Sequence, residues 1–167
     1  MSSEAFDSLN SYREKYQYSQ LTKANINSNP FAQFKEWFDH NKQMCKGQPN
    51  IIHVATASKE GRPSNRVCLL KSYDEQGFVF FTNYNSKKAN NLSENPHISI
   101  LFFFEESNRQ IRVEGTVEKV SDAYSKEYFD TRGRDSRISA WASQQSEAIE
   151  NKAALDAQFD EMDKQFP

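Results

Sequence analysis

The segment NIIHVATASKEGRPSNRVCLLKSYDEQGFVFFTN, residues 50–83, decides the fold class. It holds three runs rich in β-branched, aliphatic and aromatic residues, parted by the turn-like sequences KEGRP and DEQG. Glycine and proline stand where the chain must reverse, so NIIHVATAS, SNRVCLLKSY and FVFFTN are predicted to be consecutive antiparallel strands. Further along, HISILFFFEE and RQIRVEGTVEKV add two more strands. In the first of these, ILFFF is apolar at successive positions, the pattern of a strand covered on both faces, by a barrel core and by a partner subunit. Between the third and fourth strands, SKKANNLSEN reads as a short helix with Ser86 as N-cap, stopped by Pro96. Five strands with one inserted helix and helices at both ends predict a mainly β chain with flanking helices, a small antiparallel barrel.

Toward the N-terminus, Asn29-Pro30 has the form of a helix start, and Phe31, Phe34, Trp37, Phe38 and Asn41 follow at helical spacing. Residues 1–29, rich in Ser, Asn, Gln and Tyr, read as a flexible arm, and residues 30–167 as the barrel domain. After the strands come three predicted helices: SDAYSKEYFDTR from Ser121, RDSRISAWAS, and SEAIENKAALDAQFDEMDKQF. The last puts Leu155, Phe159, Met162 and Phe166 on one face, expected to lie against the barrel.

The 167 residues suit one domain with a sizeable core, and a net charge of −2 argues against nucleic-acid binding. No apolar run approaches the roughly 20 residues that cross a bilayer, and MSSEAFDSLN has neither the basic nor the apolar region of a signal peptide, so a cytoplasmic location is expected. Two distant cysteines, Cys45 and Cys68, read as free thiols in a reducing compartment. His40, His53 and His97 show no metal-ligand spacing, and no metal site is expected.

Charge is nonetheless unevenly placed. Between Arg62 and Lys88 stand five cations (Arg62, Arg66, Lys71, Lys87, Lys88) and two acids (Asp74, Glu75). Lys87 and Lys88 fall in the first turn of the predicted helix, where the helix dipole disfavours cations unless an anion is bound as well. With the hydroxyls of Thr82 and Ser86 close by, they point to a phosphate-bearing ligand between the second strand and this helix. Tyr128 and Arg132, four apart on a helix, share a face, and with Ser136 they offer a second anion a phenol, a guanidinium and a hydroxyl. The plainer alternatives are solvated surface cations and an arginine neutralising a helix end. Strict alternation sets Arg66 and Lys71 on opposite strand faces, which fits two phosphates better than one.

RVCLLKSYDEQGFVFFTNYNSKKA, RQIRVEGTVEKV, YFDTRGRDSRISAWASQQS and PFAQFKEWF occur together and in order, and from about Arg13 to Phe166 the chain resembles the pyridoxamine 5'-phosphate oxidase (pyridoxine 5'-phosphate oxidase) family. The resemblance implies a homodimeric split β-barrel with FMN at the subunit interface. It implies oxidation of pyridoxamine or pyridoxine 5'-phosphate to pyridoxal 5'-phosphate in vitamin B6 metabolism, with a hydride passing from C4' to the flavin and dioxygen leaving as hydrogen peroxide. For FMN it implies Arg66, Val67, Cys68, Leu69, Leu70 and Lys71, then Phe81 and Thr82, Lys87 and Lys88, and Gln110, with Gln145 and Ser146 reaching in from the other subunit. For the substrate it implies Lys71, Tyr128, Arg132 and Ser136, with Arg13 and Tyr16 closing over it. No catalytic acid or base is implied, because the cofactor does the chemistry. Phe81 stands where the family has tyrosine, and Lys87 where arginine is common, which keeps the charge but loses the bidentate fork. In the family further strands follow, bearing a W-G-G stretch and an R-x-H-D-R motif. For a chain ending at Pro167 the expectation is weaker FMN binding and slow oxidation, and the alternative reading is a non-catalytic FMN or pyridoxal-phosphate binding module.

Overall fold

A computed structural model describes residues 21–166, which divide into two compact units. Of the described residues, one unit combines residues 21–49 with Phe103–Gln110, and the other combines Asn50–Phe102 with residues 111–166.

The first unit is built on helix α1, Pro30–Met44. Proline has no N–H to lose at this first position, and the Asn29 side chain accepts from the N–H groups of Phe31 (2.8 Å) and Ala32 (3.2 Å). Phe34, Phe38 and Asn41 of the expected stripe are buried, and Trp37 is half-buried under the Arg109 guanidinium, 4.9 Å from its ring centre. Phe34 and Phe38 stack at 5.5 Å, and Phe38 meets Phe104 at 6.4 Å. Asn29→Ala is expected to lower stability by about 1 kcal/mol, read as a lower urea midpoint at unchanged slope.

The strands are β1 (Ile51–Ala57), β2 (Pro63–Leu69), β3 (Ser72–Asp74), β4 (Gly77–Val79), β5 (His97–Phe104) and β6 (Arg109–Thr116). Four form a sheet in the order β2-β1-β5-β6, while β3 and β4 pair separately. In β1, Ile52, Val54 and Thr56 are buried and the residues between them are not, the alternation of a strand with one core face. The β1–β2 reversal closes through Ser58 N–H on the Arg62 carbonyl (3.0 Å), with Gly61 at φ 80°, a conformation glycine adopts without strain.

The expected second strand is split in two. β2 ends at Leu69; the Leu70 N–H still reaches Asn50 on the β1 side (2.8 Å), but the Lys71 N–H turns to Val79 (2.8 Å). The chain changes partners there, so Arg66 and Lys71 belong to no common strand and the alternation argument fails. Of the expected third strand only Phe78 and Val79 lie in a ladder, within β4, which also takes in Gly77 of the expected turn, and residues 80–83 run irregularly. In β5, Ile100, Phe102 and Phe104 are buried while Phe103 is 53% exposed.

Helix α2 spans Lys87–Glu94, capped by Ser86 as the sequence predicts. Ser121 caps α3 (Asp122–Asp130), which stops two residues short of Arg132. Helix α4 is Arg134–Ala142, and α5 is Lys152–Gln165. The latter starts six residues after Ser146, because Asn151 is its N-cap, accepting from Ala154 N–H at 2.9 Å, and Ser146 takes φ 77°. The contacts of α5 run to α4: Arg134 pairs with Asp163 and donates to the Phe166 carbonyl (2.8 Å), and Trp141 stacks on Phe166 at 5.7 Å. Leu155, Phe159 and Met162 are half-buried. The architecture is thus a mainly antiparallel β fold with flanking helices. Among the described residues no helix is long and apolar enough to cross a membrane.

Candidate functional site

Lys88 lies in the first turn of α2 and is only 7% exposed. Its ammonium donates to Thr82 Oγ1 (3.0 Å), Ser86 Oγ (3.2 Å) and Gln145 Oε1 (2.6 Å), so all three of its protons go to neutral acceptors. Ser86, fully buried, also caps the helix through the Ala89 N–H.

Arg66 arrives from β2, opposite Val54 in register. Its Nη1 donates to the Val54 carbonyl (2.9 Å) and to Thr56 Oγ1 (3.0 Å), and its Nη2 to Ser64 Oγ (2.5 Å). Asn91, buried on α2, donates from Nδ2 to the same two hydroxyls, Thr56 at 3.1 Å and Ser64 at 3.4 Å. Among the described residues no carboxylate forms an ion pair with Arg66 or Lys88.

Burial pushes the Lys88 ammonium below its ordinary pKa; Cys68 opposes that shift, and the Arg66 guanidinium adds to it. Burial likewise lowers Arg66 and raises the half-buried Cys68 thiol, which both cations pull back down. A desolvated ammonium at the positive end of a helix, held by neutral groups alone and repelled by a second partly desolvated cation, is unfavourable in itself. An incoming anion offsets these costs by its attraction to the cations and to the helix N-terminus, as at helix N-termini that bind phosphate.

A second group forms beside Lys71. Its ammonium lies 5.5 Å from the ring centre of Tyr128, and that ring stacks on Phe81 at 3.9 Å and 5°. Tyr124 meets Phe81 edge-on at 5.7 Å and shares a hydrogen bond with Ser72 at 2.8 Å. Lys71 and Tyr128, 57 positions apart, are thereby brought together. Arg132 does not share a helix face with Tyr128. Thr131 ends α3 by donating through both its hydroxyl (2.7 Å) and its N–H (3.1 Å) to the Tyr128 carbonyl, and Arg132 folds over Phe129 at 5.8 Å. Ser136 is exposed in the first turn of α4.

Of the other expected site residues, Val67 is exposed, Leu69 half-buried and Leu70 buried. Lys87 is exposed and takes no part in the Lys88 network, and Ser146 is exposed beside Gln145. Gln145, expected to reach a neighbouring subunit, engages Lys88 and Thr82 (3.2 Å) of its own chain. Gln110 is an exposed residue of β6 in the first unit. Arg13 and Tyr16 lie outside the described residues. Thr56, Ser64 and Asn91 were not anticipated. The signal that leads to them is the β1–β2 register, which pairs Thr56 with Ser64.

The model of the family described as pyridoxamine 5'-phosphate oxidase matches residues 38–166. The chain belongs to that family. It is 44% identical over 158 residues to a pyridoxine/pyridoxamine 5'-phosphate oxidase of Crocosphaera subtropica, covering 95% of this chain and 74% of that protein. It is 47% identical to one of Paraburkholderia phymatum, covering 92% and 73%. Among solved structures it resembles PhzG of Burkholderia lata, crystallised with tetrahydrophenazine-1-carboxylic acid, with TM-score 0.81 and 25% identity over 89% of this chain and 74% of that one. It also shares its fold with a pyridoxamine 5'-phosphate oxidase-related, FMN-binding protein of Nostoc punctiforme, TM-score 0.60 and 17% identity over 78% and 73%. The fold is therefore that of the family's FMN-binding split barrels.

Proposed function

We propose that this family member is a flavin-dependent oxidase that converts pyridoxamine or pyridoxine 5'-phosphate to pyridoxal 5'-phosphate, with dioxygen as acceptor and hydrogen peroxide as by-product. The observation that carries this reading is the pair Arg66 and Lys88, desolvated cations with no carboxylate partner among the described residues. That donor set suits the phosphate of FMN: a guanidinium, an ammonium and a helix N-terminus are all groups that a phosphate accepts from, and no acid among the described residues is paired with either cation. Bound FMN would supply the redox chemistry, accepting a hydride from the substrate's C4' and giving the electrons up to dioxygen.

The chain's own residues bind and orient. Arg66 and Lys88 hold the cofactor's phosphate. Lys71, beside the Phe81–Tyr128 stack, takes the substrate's phosphate. The flat ring pair gives that subsite a stiff wall, so the substrate's carbon is held at a fixed place and the encounter becomes effectively unimolecular. The working form is a homodimer in the cytoplasm, and exposed apolar side chains such as Val67 and Trp141 supply surface for the partner.

The test is direct. The purified protein is expected to be yellow, or to become so when FMN is added, and to release peroxide when given pyridoxamine 5'-phosphate in air. A protein that takes up FMN without releasing peroxide would confine the reading to cofactor binding. One that stays colourless in excess FMN would overturn it.

A further inference from the structure

We infer that Asn91 is a positioning residue: acting through the hydroxyls of Thr56 and Ser64, it fixes the Arg66 guanidinium in the orientation that receives a phosphate. This rests on the proposed function, in which Arg66 holds the phosphate of FMN.

Arg66 has a long side chain and, among the described residues, no carboxylate to lock its fork. What orients it is a set of three oxygens, the Val54 carbonyl, Thr56 Oγ1 and Ser64 Oγ. A carbonyl is fixed by its strand, but a hydroxyl rotates and presents its lone pairs wherever a donor calls for them. Asn91 removes that freedom. Its amide nitrogen carries two protons, and it reaches Thr56 at 3.1 Å and Ser64 at 3.4 Å. Thr56 Oγ1 thus accepts from Asn91 on one side and from Arg66 Nη1 on the other, and Ser64 Oγ likewise accepts from Asn91 and from Arg66 Nη2, which fills both lone pairs of each hydroxyl. Both hydroxyls are turned so that their remaining acceptor capacity faces the guanidinium.

The chemistry of residue 91 suits this task. A carboxylate there would orient the same groups but would neutralise Arg66 and compete with the incoming phosphate. A neutral amide orients the cation and leaves its charge for the ligand. Asn91 and Lys88 are also three apart on α2 and both buried, so one helical turn sets the ammonium and the guanidinium's support in register. Asn91 touches neither the cofactor nor the substrate in this scheme.

Riboflavin, which lacks the phosphate, separates positioning from general support of the fold. Wild type and Asn91→Leu are titrated with FMN and with riboflavin, following the quenching of flavin fluorescence. FMN is expected to bind about tenfold more weakly to the variant while riboflavin changes by less than about twofold, the loss expected when a charge-assisted contact is misaligned. Asn91→Gln, which keeps the two donors, restores most of the FMN affinity. Ser64→Ala, which removes the acceptor under Nη2 at a partly exposed site, shows the same phosphate-selective loss and decides the matter if Asn91→Leu does not fold. Equal losses for both flavins, or unchanged FMN affinity in folded variants, overturn the inference. If wild type itself prefers FMN no more than riboflavin, the phosphate reading of the proposed function fails, and the inference falls with it.

Discussion

Lys88→Met is expected to weaken FMN binding by about a hundredfold, the loss of a buried charge-assisted contact worth about 2–3 kcal/mol. The same change is expected to leave the ligand-free protein at least as stable as wild type. The two effects have one cause. Without an anion, the Lys88 ammonium is desolvated, stands at the positive end of α2 and feels the Arg66 guanidinium, and all three act against its charge. Methionine fills similar volume without that charge, and Thr82 and Gln145, both partly open to solvent, can take water in place of the ammonium. Fluorescence titration with FMN reads the first effect and thermal melting without ligand reads the second. A variant that binds FMN like wild type would remove Lys88 from the phosphate site. One that melts well below wild type would show Lys88 to be a structural residue, and the cost of its burial to be met inside the protein.

The largest expected loss of stability is at Phe102. Its side chain is fully buried in β5 and meets the Phe78 ring at 5.6 Å. Phe102→Ala is expected to cost about 3–5 kcal/mol, from lost transfer free energy plus the cavity left behind. Against a total stability of about 5–15 kcal/mol, that is enough to unfold much of the protein near physiological temperature. Its neighbour Phe103, 53% exposed, supplies the control. In dilute, monomeric protein Phe103→Ala is expected to change stability by no more than about 0.5 kcal/mol. Urea denaturation of both variants tests the pair. Similar losses at the two positions would mean that Phe103 is covered as well, as in an associated form, and that case is read from a concentration-dependent midpoint.

Adjacent phenylalanines with such different fates show where sequence reading ran out. In ILFFF every position is apolar, so periodicity cannot say which side chains face the core. The structure decides it by pairing β5 with β1 in a fixed register, which turns Ile100, Phe102 and Phe104 inward and Phe103 outward. Local signals were more dependable. Asn29 and Ser86 were legible as N-caps, and Ser121 as a helix start, because capping is settled within three residues of the cap. Where a competing local bond existed, the reading overran: Thr131 closes α3 early, and Asn151 starts α5 late.

The candidate site divides along the same line. The cations Arg66, Lys71 and Lys88 and the hydroxyls of Thr82 and Ser86 were legible, because an excess of basic residues and a helix start with lysines in its first turn are properties of short stretches. That Lys88 turns inward while Lys87 stays in solvent was not, since one helix position rotates a side chain by about 100° and only the packing of α2 says which direction is interior. Nor was the Thr56–Ser64–Asn91 layer beneath Arg66, three ordinary polar residues joined only by the β1–β2 register and the seat of α2. The sequence by itself determined the order of strands and helices, the caps, and the presence of unbalanced positive charge, because each depends on neighbours along the chain. Tertiary structure alone decided the break after Leu69, the meeting of Lys71 with Tyr128, and which cations lose their water, because each depends on groups far apart in sequence that come together only when strands pair and helices pack.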